Sequence, residues 1–207
     1  MSFSGKAFAT TMFLLCLVPT LSFAKSGTDF SNVGGTLTGT SAGLTLTGST
    51  LVAVIGLNGG GLVTGDLGSV TFTTGALSGG SLDMGGFFAA GGTFTVDGNG
   101  TNGIPNGVLF SGTFSGTSSW VLATLSNGTH NYTLTGLVSG MIGGQAVVGV
   151  TVQLTINTGK GYFDGSTTIS GGDTVVSSVP EPSTFALFGM GTLAVAGVFG
   201  RKAIASR

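Results

Sequence analysis

Glycine recurs through the middle of this chain at intervals too short for a stable helix, since each glycine costs a helix interior about 1 kcal/mol relative to alanine. It accounts for 41 of the 207 residues, where ordinary usage is about 7 %. With only 4 prolines and no Gly-x-y period, the glycines do not describe a collagen-like rod. What they leave open is a sheet. Ala146, Val148, Val150, Val152, Leu154 and Ile156 alternate with Gly149, Thr151, Gln153, Thr155 and Asn157, the period of a strand with one apolar and one wet face. The same alternation sets Phe110, Gly112 and Phe114 against Ser111, Thr113 and Ser115. It also sets Tyr132 and Leu134 against Thr133 and Thr135, and Leu44 and Leu46 against Thr45 and Thr47.

Asn58-Gly59, Asp97-Gly98, Asn106-Gly107, Asn127-Gly128 and Asp164-Gly165 are dipeptides that accept positive φ at hairpin tips. Asn127-Gly128, between residues 120–125 and 129–138, predicts a two-residue hairpin. The expected fold is therefore all-β: an antiparallel β-sandwich or jelly-roll-like domain over residues 25–178. A β-solenoid is the alternative, suggested by the recurrence of Gly35-Thr36-Leu37-Thr38 as Gly92-Thr93-Phe94-Thr95.

Charge is scarce. Six basic and seven acidic residues serve the whole chain, and no arginine precedes Arg201, so nucleic acid is excluded as a partner. Within residues 25–178, Lys25 and Lys160 face Asp29, Asp66, Asp83, Asp97, Asp164 and Asp173. A mean hydropathy of +0.55 with so little net charge is opposite to the composition of disordered chains.

The two ends differ from the middle. Residues 1–24 read as a signal peptide, with Lys6 ahead of an apolar stretch over 7–21 and Ser22-Phe23-Ala24 at its close. Signal peptidase is expected to cut between Ala24 and Lys25. The only cysteine, Cys16, then leaves with the signal, and Leu15 before it lacks the small side chain of a lipoprotein signal. At the other end an apolar segment follows Val179-Pro180-Glu181-Pro182-Ser183 and precedes Arg201, Lys202 and Arg207. A helix over 184–200 at 1.5 Å per residue reaches roughly 25 Å, the lower limit for a bilayer core. The basic residues act as a membrane stop and stay in the cytoplasm, which leaves residues 25–178 outside.

The Pro180-Glu181-Pro182 triplet, the Gly/Ala/Leu-rich span and the basic tail of residues 179–207 together resemble the PEP-CTERM sorting signal of Gram-negative bacteria. The resemblance implies that the triplet is recognised by exosortase, a transpeptidase-like membrane enzyme. It also implies an inner-membrane anchored intermediate that is passed on to the cell surface or outside, in bacteria that make extracellular polysaccharide and biofilm. It implies a route and no activity for residues 25–178.

Within those residues no catalytic set, metal site or cofactor is expected. His130 has no second histidine or cysteine to complete a zinc site. Asp164 and Asp173, a conceivable glycosidase pair, each adjoin glycine and read as turn formers. The stretch from Asp97 to Gly103 has calcium-loop oxygen spacing but no glycine sixth and no glutamate twelfth. Gly59-Gly60-Gly61 lacks the lysine of a phosphate loop, and the sequons at Asn99, Asn127 and Asn131 are frequent in a Thr/Asn-rich chain. The expectation is an exported, non-enzymatic surface or matrix protein. The alternative is a carbohydrate-binding module that meets polysaccharide through Trp120, Tyr132 or Tyr162.

Overall fold

The structure, a computed structural model, describes residues 27–176. The expected signal peptide and the expected membrane helix over 184–200 lie outside the described residues. Among the described residues no helix is long and apolar enough to cross a membrane.

Thirteen strands run in the order β1 (Thr28–Val33), β2 (Thr36–Thr40), β3 (Gly43–Ile55), β4 (Val63–Thr74), β5 (Leu77–Ser81), β6 (Gly85–Phe88), β7 (Gly91–Asn99), β8 (Asn106–Phe114), β9 (Ser118–Thr124), β10 (His130–Ile142), β11 (Gln145–Asn157), β12 (Ser166–Thr168) and β13 (Gly171–Val176). Eight close on themselves. β13 pairs with β1, β1 with β3, β3 with β4, β4 with β7, β7 with β8 and β8 with β10, while β11 joins β10 to β13. All pairs are antiparallel, so the all-β antiparallel expectation holds. The sheet closes into a barrel, however, in place of two stacked sheets, and a solenoid's parallel stacking is not its pattern. Closure pairs the first strand with the last and so removes both edges of the ring.

The remaining strands extend this ring at one end. β10 is long enough to pair with β8 through Val138–Ile142 and with β9 through His130–Thr135. From β9 the sheet continues through β6 to β5. β2 adds to the first half of β3, and β12 to β2.

An eight-stranded barrel has an interior just wide enough for side chains to fill. Here Phe72, Phe94, Phe110 and Phe114 fill it, with Phe72 stacked on Phe94 at 6.0 Å and Phe114 edge-on to Phe94 at 6.3 Å. Phe30, Leu37, Leu51, Val70, Leu134, Val138, Val152 and Ile156 complete one continuous core. The inward phase follows the sequence alternation in Leu44 and Leu46, in Phe110 and Phe114, and in Tyr132 and Leu134. β11 breaks it. Val150, Val152, Leu154 and Ile156 are buried, but Val148 is exposed, because the register slips by one residue against Val138 and Gly140. Gly149 at φ +69 supplies the left-handed residue of this bulge. Ala146 and Val148 therefore face outward, contrary to the sequence period.

Three of the expected turns also differ. Leu125 bonds through its N–H to Thr129 O, and the Gly128 N–H reaches Leu125 O. The loop is thus three residues, a type I turn ending in Gly128 at φ +78. Asp97-Gly98 and Asn106-Gly107 are no turns at all: the first pair lies in β7 and the second opens β8, where Gly98 and Gly107 face one another across the ladder.

Thr28 is the partner of Val176, so the described chain enters and leaves the barrel side by side. Antiparallel order places the loops 56–62, 100–105 and 143–144 at that same end, and the loops 125–129 and 158–165 at the other.

Candidate functional site

The polar and aromatic groups singled out from the sequence gather mainly at the end away from the termini. β10 presents His130, Tyr132 and Leu134 inward from its first half. Trp120 on β9, opposite Leu134, stacks on Tyr132 with centroids 5.0 Å apart and planes at 20°. Phe163 sits edge-on to Trp120 at 5.6 Å. Trp120 Nε1 donates to the Leu82 carbonyl at 2.8 Å. The Tyr132 hydroxyl donates to the Asp83 carbonyl at 2.5 Å and accepts the Phe163 N–H at 3.0 Å. Burial raises the Tyr132 hydroxyl above its ordinary pKa. These two rings are 1 % and 0 % exposed, so neither offers a face to a ligand; they bind loops 82–84 and 158–165 to the sheet.

Tyr162, the third aromatic, is 49 % exposed and stacks on His130 at 4.2 Å. His130 Nδ1 lies 3.1 Å from the Gly161 carbonyl. A carbonyl only accepts, so Nδ1 carries the proton and the ring is held by main chain instead of by a carboxylate. Thr158 Oγ1 donates to the same carbonyl at 2.6 Å. The chemistry of this group is positional: it fixes the loop that carries Tyr162.

The carboxylate that meets Asp173 is Asp29, not Asp164. They lie on the outward sides of β13 and β1, in the diagonal relation set by the Asp29–Val175 and Ser31–Asp173 pairs. Burial, then a shared hydrogen bond with Asp173 and its charge, raise the Asp29 carboxyl to about 6, partly offset by the Phe30 N–H. Asp29 Oδ1 is buried without a hydrogen-bond partner among the described residues. Ser31 Oγ donates to Asp173 Oδ1 at 3.3 Å. Burial and the neighbouring carboxylate both favour the neutral form of Asp29. Nothing in the local sequence announces this pair, whose members lie at opposite ends of the barrel's chain.

The oxygen-rich loop after Asp97 is engaged internally. Asn99 Nδ2 donates to the Asp66 carbonyl at 3.0 Å, Thr101 N–H and Oγ1 both donate to Asn99 Oδ1, and Asn102 Nδ2 reaches the Thr64 carbonyl. It is an Asx-type loop pinned to β4. Asn127 Oδ1 likewise accepts from Thr129. The G-x-S-x-G spacing of a nucleophile elbow occurs at Gly39-Thr40-Ser41-Ala42-Gly43. It joins β2 to β3 as a hairpin, whereas an elbow joins a strand to a helix.

Pro180, Glu181, Pro182, Arg201, Lys202 and Arg207, with Ala24 and Lys25, lie outside the described residues. Comparison with protein families bears on most of the C-terminal set: residues 178–202 match the PEP-CTERM protein-sorting motif. The chain carries a PEP-CTERM sorting signal. Its match begins two residues after Val176, the last residue of β13. The PEP-CTERM signal includes Pro180 to Pro182 and reaches Arg201 and Lys202. It supports export of the chain and a membrane-associated sorting step at its C-terminus, with exosortase as the recognising enzyme. No curated protein and no solved structure matches the chain.

Proposed function

We propose that the barrel is the structural cargo of its PEP-CTERM signal: an exported, non-enzymatic protein of the cell surface or extracellular matrix. In this reading signal peptidase frees Lys25, residues 184–200 hold the chain in the inner membrane, and exosortase acts at Pro180-Glu181-Pro182. The observation that carries the reading is the sorting motif beginning directly where β13 ends. A barrel interior filled by phenylalanine side chains also favours a structural role, because ligand-carrying barrels of this size keep that space open.

The test is intact mass and cell-fraction location in the native host, with Pro180, Glu181 and Pro182 replaced by alanine for comparison. A wild-type chain found outside, starting at Lys25 and lacking Arg207, with the variant retained in the membrane, supports the reading. Retention of both with Arg207 intact makes the C-terminus a plain anchor.

Polysaccharide binding is a second reading, favoured by Tyr162, whose half-exposed ring is braced by His130. Retention of the protein on its host's extracellular polysaccharide, abolished by Tyr162→Ala, would establish it. Equal retention of the variant would remove it.

A further inference from the structure

β1 and β13, which close the ring, are also its least anchored strands. Each places a single apolar side chain in the core, Phe30 from β1 and Val176 from β13, whereas each of the other six ring strands places two or more. β13 opens on Gly171 and Gly172, which bring no side chain at all. Strands with few buried apolar contacts are the ones that open locally while the rest of a fold stays intact.

The same seam carries two like charges. Asp29 and Asp173 stand on its outer side in diagonal positions, near enough for a hydrogen bond between their carboxyl groups. Asp29 Oδ1 is buried without a partner among the described residues, and Asp173 Oδ1 accepts from the Ser31 hydroxyl at 3.3 Å. No cation answers them. The side chains directly opposite are Ile55, across from Asp29, and Gln153, across from Asp173. β3 beside β1, and β11 beside β13, contain no acid or base, nor does the loop 56–62, whose Gly56 carbonyl accepts from Thr28 Oγ1. Asp66, one strand further on in β4, is turned to Asn99 Nδ2. Lys160, the lysine among the described residues, lies in a loop at the opposite end of the barrel.

We propose that this seam is a pH-operated latch. With one of the two carboxyls neutral, β13 stays docked. With both ionised, repulsion across the seam and the pull of the Asp29 carboxylate toward water free β13 from β1 and β11, while the other seven ring strands remain folded. Burial, then the hydrogen bond and charge of Asp173, raise the Asp29 carboxyl to about 6, so docking is firm in mild acid and weakens as pH rises through that value. Release opens two strand edges that closure had removed, on β1 and on β11. The strand released is the one that directly precedes the sorting motif in sequence.

The test is hydrogen exchange of the full chain in detergent, read by peptide mass at about pH 5 and about pH 8 and corrected for the intrinsic exchange rate, which reports opening strand by strand. Opening of β13 should rise about fivefold between the two conditions while β4 and β7 keep their protection. Asp29→Asn should remove the rise, and Asp173→Asn should reduce it. Equal protection of β13 at both pH values overturns the latch. A rise undiminished in either variant assigns it to another group and overturns it as well. Loss of protection in all strands together is global unfolding, and the local latch then fails.

Discussion

Tyr132 lies flat against Trp120, and its hydroxyl stitches the Asp83 carbonyl to the Phe163 N–H. One side chain on β10 thereby holds two loops that approach from either side of the sheet.

Replacing that hydroxyl separates its two contributions. Tyr132→Phe keeps the stacking and leaves one donor and one acceptor unpaired, a loss of about 1–3 kcal/mol. Trp120→Ala removes the ring that both neighbours pack on and costs about 3–5 kcal/mol. Urea unfolding of the two variants should rank them in this order, and proteolysis near Asp83 or Phe163 should rise in Tyr132→Phe before global unfolding does.

Close approach of strands makes one glycine irreplaceable and another merely useful. A Cβ on Gly68 would fall 1.9 Å from the Asp97 carbonyl oxygen, whereas one on Gly128 would meet nothing within 4 Å. Both have positive φ. Gly128→Ala should therefore cost only the left-handed penalty, about 1–2 kcal/mol. Gly68→Ala must also part β4 from β7, and thermal melts should show a distinctly larger fall.

Stability should drop as pH rises through the range set by Asp29. Its carboxyl is raised from an ordinary 3.8 to about 6 in the folded chain, so the folded state binds that proton more tightly than the unfolded one. The stabilisation is complete below the lower value and lost as pH passes the upper. One side of the group remains open to water, which reduces the effect to the order of 1 kcal/mol. Denaturation midpoints measured across this window should fall, and Asp29→Asn should flatten the profile. An unchanged slope in that variant would assign the dependence elsewhere.

Processing at the N-terminus is checked by a single side chain. A bulky residue does not fit where the peptidase reads a small one, so Ala24→Tyr should accumulate chain that retains Met1, detected by intact mass. Wild type should begin at Lys25.

Strand phase was legible wherever it depends on neighbours alone. Leu44 and Leu46, Phe110 and Phe114, and Val150 to Ile156 were assigned inward by period, and they are buried. Val148 was not, because the bulge at Gly149 is imposed by how β11 registers on β10, information held by the partner strand. Barrel closure was hidden for the same reason: it rests on β1 meeting β13, a pairing between the two ends of the domain. Asp29 and Asp173 meet only through that seam. Trp120 and Tyr132 could be named from composition, but whether their rings faced solvent depended on loops 82–84 and 158–165 folding over them.

The seam also sets an order of events in time. A chain that crosses a membrane N-terminus first delivers β1 early and β13 last, and β1 must wait unpaired on one side until Val176 has emerged. Pairing across so long a stretch is slow and leaves an open strand edge meanwhile. Only seven residues separate Val176 from the start of the apolar segment. In the proposed function, where residues 184–200 halt in the membrane, the closing strand and that stop follow one another into the translocation channel, so completion of the fold and arrest of the chain become a single step of biogenesis.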